Sequence, residues 1–145
     1  MRQRGFTLLE LLIMLGVVGI LAGVAGFSLQ HLRHRLELNN AQRTLVDTLN
    51  KARSDARRLS VDQTLSWRKG EAFLELASGD EPARKIEVST SNSIVFQRSD
   101  RIRYNAPYGR AGASNDRITL VHKQLEKGSD VIIYGVTGKV KAVAR

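Results

Sequence analysis

Apolar residues fill positions 6 to 29 almost without a break, and only Thr7, Glu10 and Ser28 among them are polar. At about 1.5 Å per residue a helix of that length reaches roughly 36 Å, enough to cross a bilayer. Further on, the apolar positions thin to one stripe, Leu38, Ala41, Leu45, Leu49, Ala52, Ala56 and Leu59, spaced three or four residues apart. That spacing predicts an amphipathic helix. Neither Pro nor Gly interrupts Ser28 to Ser60, so one helix is expected from about Phe6 to Leu59. Beyond Leu59 the period falls to two. Strands are expected at Gln63–Trp67, Ala72–Leu76, Lys85–Val88, Ser93–Gln97, Ile102–Asn105, Arg117–His122, Val131–Tyr134 and Lys139–Val143. Turn signals at Lys69-Gly70, Ser78-Gly79-Asp80, Gly109 to Gly112, Lys127-Gly128 and Gly135 to Gly138 separate many of them. The pattern predicts an α+β domain in which antiparallel sheet packs on the stripe of the helix.

Length and composition narrow the functional classes. The 145 residues hold no cysteine, which removes disulfides and thiolate metal sites. No HExxH, no nucleophile elbow and no phosphate loop is present, since the "GRAG" at 109–112 lacks the Lys-Ser/Thr that such a loop requires. Neither an enzyme nor a cofactor is expected. His31 and His34 stand one helical turn apart, but Arg33 and Arg35 interleave them, so no metal site is expected either. Net charge is +9, and it is uneven. From Arg98 to Arg145 ten Lys and Arg face four Asp and Glu, a local excess of six. A clustered basic excess suits an anionic partner such as nucleic acid or anionic lipid, or else simply a soluble basic surface.

Glu10 is the anomaly of the apolar run. A carboxylate has no advantage in a signal-peptide core, and the run exceeds the usual length of one. A plain signal anchor would leave it hydrated at the interface. At membrane depth it needs a positive partner, and no Lys, Arg or His lies between Arg4 and His31. A free α-amino group made by cleavage before Phe6, offered by a neighbouring copy, would supply one. Gly5-Phe6-Thr7-Leu8-Leu9-Glu10 after a short basic leader resembles the processing signal of type IV pilins and type II secretion pseudopilins. The resemblance implies a prepilin peptidase that cuts after Gly5 and methylates Phe6, and a role for Glu10 in assembly. It also implies a leader at 1–5, a transmembrane half-helix at 6–29, an amphipathic half at 30–60 and a soluble head at 61–145. The chain would then sit in a bacterial inner membrane as a single pass, with its head in the periplasm, before joining a fibre with other pilins or pseudopilins. Charge alone does not set that orientation, because Arg2 and Arg4 before the span are matched by Arg33 and Arg35 after it. The proline frequent in the family near the twenty-second mature position is replaced here by Phe27, preceded by Gly26.

"LVDTLNKARSDARRLS" at the helix end, "IRYNAPYGRAGASNDRITL" and "DVIIYGVTGKV" look like the FimT and GspH group of minor pilins and pseudopilins. Two jobs follow from that likeness: a FimT-like pilin contacting DNA in natural transformation, or a GspH-like pseudopilin acting in protein secretion. In FimT-like members a Gly-Arg-x-Arg motif in the last hairpin binds DNA. Gly138-Lys139-Val140-Lys141 has that spacing with lysine in place of arginine. Strand alternation puts Lys139, Lys141 and Arg145 on one face, roughly 6.6 Å between same-face neighbours, close to the phosphate spacing of a nucleic-acid strand. Arg98, Arg101, Arg103, Arg110 and Arg117 extend the candidate patch, and Tyr108 and Tyr134 could stack on bases. The same lysines also suit a charged edge strand that resists aggregation.

Overall fold

The structure is a computed structural model that describes residues 7–89, 92–112, 116–124, 128–135 and 137–144, with the side chains of 24, 25, 27, 28, 31 and 144 outside the description. Two compact units divide the chain, Met1–Arg35 and Leu36–Arg145. Helix α1, Leu8–Leu59, runs from the first into the second. In the first unit its apolar side chains lie open: Leu8, Leu9, Leu11, Leu12, Leu15, Ile20 and Leu21 are all more than half exposed. Part of the expected span falls on side chains that are not described, and among the described residues no helix is long and apolar enough to cross a membrane.

The second unit builds its core on the stripe. Leu38, Ala41, Leu45, Leu49, Ala52 and Ala56 are buried as the spacing predicts. Burial of a leucine such as Leu45 or Leu49 contributes about 1.5–3 kcal/mol. Leu59, the last member of the stripe, is instead 49% exposed. The helix stops there, with Ser60 in the left-handed region at φ 54°, so the chain turns away before Leu59 can be covered. Gln42 is buried although polar, because its Nε2 donates to the Asp130 carbonyl at 3.2 Å and fastens α1 to the sheet beneath.

Nine strands follow: β1 Gln63–Trp67, β2 Phe73–Ser78, β3 Arg84–Glu87, β4 Ile94–Phe96, β5 Asp100–Asn105, β6 Arg110–Ala111, β7 Asp116–His122, β8 Gly128–Tyr134 and β9 Lys139–Ala144. The eight expected strands are all present with ends shifted by up to three residues, and β6 is the addition. It occupies two residues of a stretch whose glycines read as turn alone, and it pairs with Tyr104 and Asn105. The strands form two antiparallel sheets, ordered β3-β2-β1-β5-β6 and β4-β7-β8-β9. Their inner faces share one core with the helix stripe, in which Leu65, Leu74, Ile102, Ile118, Val131 and Ile133 are fully or almost fully buried. Trp67 of the first sheet stacks on Phe96 of the second at 5.7 Å between ring centres, joining the two. Register places Lys139 opposite Tyr134 and Lys141 opposite Ile132, so both lysines project from the outer face of β9, an edge strand.

Candidate assembly and nucleic-acid interfaces

At the start of α1, Thr7 and Glu10 hold each other. The Glu10 carboxylate accepts from the Thr7 backbone N–H at 3.2 Å and from the Thr7 hydroxyl at 3.3 Å, while the Glu10 N–H donates to that hydroxyl oxygen at 3.3 Å. This is a capping box, Thr-x-x-Glu, with the carboxylate in the first turn where the helix dipole favours negative charge. The spacing Thr7-Leu8-Leu9-Glu10 carries that signal in the sequence, and the donors it supplies are neutral and lie within the chain itself. Gly5 and Phe6 lie outside the described residues.

In the second unit the basic residues separate by their company. Arg103 pairs with Asp62, whose other oxygen accepts the Ala106 N–H at 2.7 Å. These contacts, the Ala106 amide before the Arg103 guanidinium, hold the Asp62 carboxyl below its ordinary range. Arg117 lies 3.8 Å from the buried Asp130 carboxylate. Arg101 shares its groove with Glu71, Glu75 and Asp100. Arg103 and Arg117 therefore face carboxylates that offset their charge, whereas Arg101 only shares a groove with acids. Arg110, Lys139 and Lys141 enter no ion pair among the described residues and are exposed. Arg145 lies outside those residues, and Val143 is the last described side chain on the lysine face.

Two glycine turns bring Arg110 and Lys139 together. Gly109 has φ 61° and Gly138 φ 63°, values that a side chain disfavours. Each turn closes on a backbone hydrogen bond, Gly109 N–H to the Asn105 carbonyl at 2.8 Å and Gly138 N–H to the Tyr134 carbonyl at 2.6 Å. A Cβ on Gly138 would stand 2.9 Å from the Gly109 oxygen and 3.2 Å from Tyr104 Cε1. The turns are thus in contact, and the residue after each glycine is a cation. Tyr108, 70% exposed, lies under the Arg110 guanidinium at 5.6 Å from its ring centre, and Tyr134, 39% exposed, is the cross-strand neighbour of Lys139. The arrangement offers cations with aromatic faces beside them, the pairing that single strands use for backbone and base.

Comparison with known proteins bears on both regions. Residues 1–26 match the family model of the prokaryotic N-terminal methylation motif. No curated protein matches the sequence. The fold is similar to the crystal structure of the type IV minor pilin FimU of Pseudomonas aeruginosa, with a TM-score of 0.62 over 75% of this chain and 90% of that one, at 16% identity. Residues 1–26 thus carry an N-terminal methylation motif, and the long helix leading into antiparallel sheet has the fold of a type IV minor pilin.

Proposed function

We propose that this chain is a minor pilin of the FimT kind, cleaved after Gly5, methylated on Phe6, held by its apolar helix in the inner membrane and then built into a pilus, where its head contacts DNA. The processing and membrane steps draw support from the methylation motif and from the open apolar surface of α1 between Leu8 and Leu21. Apolar area of that extent needs lipid or neighbouring helices to cover it. Mass spectrometry of the membrane-extracted protein is expected to read a mature chain beginning at methylated Phe6. A chain beginning after Ala25 would overturn the processing reading in favour of ordinary signal cleavage. No catalytic role is part of the proposal, and the partners are other pilins, the prepilin peptidase and DNA.

The DNA role is carried by one observation: the contact between Gly109 and Gly138 sets the backbones that launch Arg110 and Lys139 side by side, and neither cation enters an ion pair among the described residues, whereas Arg103 and Arg117 do. Lys141, two residues along the same outer face, continues the line of charge. Binding is tested by anisotropy of a labelled duplex with the full chain in detergent, titrated with salt. Each phosphate contact steepens the fall of log K with log salt by about 0.9, so replacing both Lys139 and Lys141 by alanine is expected to flatten the slope by about 2. A wild-type chain that does not bind at low salt would sink the DNA role and leave the GspH-like job in protein secretion, since the N-terminal motif serves pilins and pseudopilins alike.

A further inference from the structure

The two glycine turns also press against the last turns of α1. A Cβ on Gly109 would lie 2.8 Å from the Arg53 carbonyl oxygen, 2.8 Å from Arg57 Cγ and 3.0 Å from Arg57 Cδ. One on Gly138 would lie 3.3 Å from Arg53 Nε. Arg53 and Arg57 are four residues apart and share a helix face, so both stems are packed by the backbone of the turns that launch Arg110 and Lys139. Arg53 Nε is buried without a hydrogen-bond partner among the described residues, as is the Tyr104 hydroxyl, and Arg53 is near enough for its charge to act on that tyrosine. Neither Arg53 nor Arg57 enters an ion pair among the described residues, whereas the adjacent Arg58 is paired with Asp55 at 3.3 Å. Asp62, which reaches the 106–109 turn, is already engaged by Ala106 and Arg103. Four cations from three elements thus surround one backbone contact, and none of them enters an ion pair among the described residues.

We propose that Arg53 and Arg57 are phosphate-contacting residues, so that the end of α1 forms one wall of the nucleic-acid site and the β6 and β9 cations the other. This rests on the DNA-contact reading above. It also complements Lys139 and Lys141 of the strand. Lysine offers a point charge, and the planar guanidinium fork that matches two phosphate oxygens comes instead from the helix. Packing of both arginine stems against the turns holds that fork in place, which reduces the side-chain entropy lost on binding.

The test uses the full chain in detergent and the same labelled duplex. Arg57→Gln is expected to weaken binding by roughly tenfold at moderate salt and to flatten the salt slope by about 1, whatever the DNA sequence. Arg57→Lys should keep the slope and still lose affinity, because the charge stays and the fork goes. Arg58→Gln removes the same charge one residue away, from a side chain already paired, and should bind as wild type does. Arg53→Lys tests the half-buried partner, with thermal unfolding measured beside it to register any change in the fold. If Arg57→Gln binds no more weakly than Arg58→Gln while the double lysine variant loses affinity, the helix wall is overturned and the strand site stands. If the wild-type chain itself does not bind, the underlying reading has failed first.

Discussion

Tyr104 is fully buried, and its hydroxyl has no hydrogen-bond partner among the described residues. Burial pushes its pKa from 10.0 up to about 12, against a smaller opposing pull from Arg53. The folded chain then keeps a proton that the unfolded chain has lost, so this residue leaves stability untouched below pH 10 and lowers it as pH rises from 10 towards 12. The loss is bounded at roughly 2–3 kcal/mol. Tyr104→Phe should abolish that alkaline decline, and urea midpoints measured along a pH series would reveal it. At neutral pH the substitution should cost little or even stabilise, because it removes a buried donor that lacks an acceptor. An unchanged alkaline slope would mean that the hydroxyl reaches water. The ring itself has another duty, since Gly138 packs against its edge and no side chain larger than hydrogen fits that approach.

Between elements, Asp62 works as a strap. It follows the end of α1 and reaches the turn after β5, accepting the Ala106 N–H and pairing with Arg103. Because its pKa lies below the ordinary 3.8, its contribution is complete above that pH and is lost as pH falls through the lower folded value. Wild-type protein should therefore lose thermal stability more steeply below pH 4 than Asp62→Asn does. Parallel acid profiles would contradict the strap. Little of this was legible in the sequence, where the period of apolar residues marks which face of a helix or strand is buried but not which charges meet. The switch from period 3.6 to period 2 after Leu59 placed α1 and eight strands, because burial on one face leaves that imprint. β6 escaped since two residues cannot show a period, and Gln42 escaped because its burial depends on a carbonyl 88 positions away. The same limit governed the candidate site. Arg103 and Arg117 resemble Arg110 in the sequence, and only tertiary contacts set carboxylates beside the first two. Arg53 and Arg57 belonged to an amphipathic helix whose polar side reads as solvated surface.

For the molecule as a whole, the motif at residues 1–26 and the exposed apolar side chains of α1 fit the two settings of the proposed function, lipid first and neighbouring helices afterwards. We predict that Glu10→Ala leaves membrane insertion intact and impairs incorporation into fibres, as read by membrane fractionation beside pilus shearing. Normal fibres from that variant would count against pairing of Glu10 with a neighbour's amine. The Thr7–Glu10 capping box changes what such pairing entails. A solitary subunit does not carry a bare carboxylate, because Thr7 already supplies two donors to it. If Glu10 pairs with a neighbour's amine in a fibre, as proposed, joining it exchanges these neutral donors for a charged one. Under the proposed assembly, a subunit outside the fibre would still keep the two Thr7 donors on that carboxylate, so the oxygens are not left without hydrogen bonds.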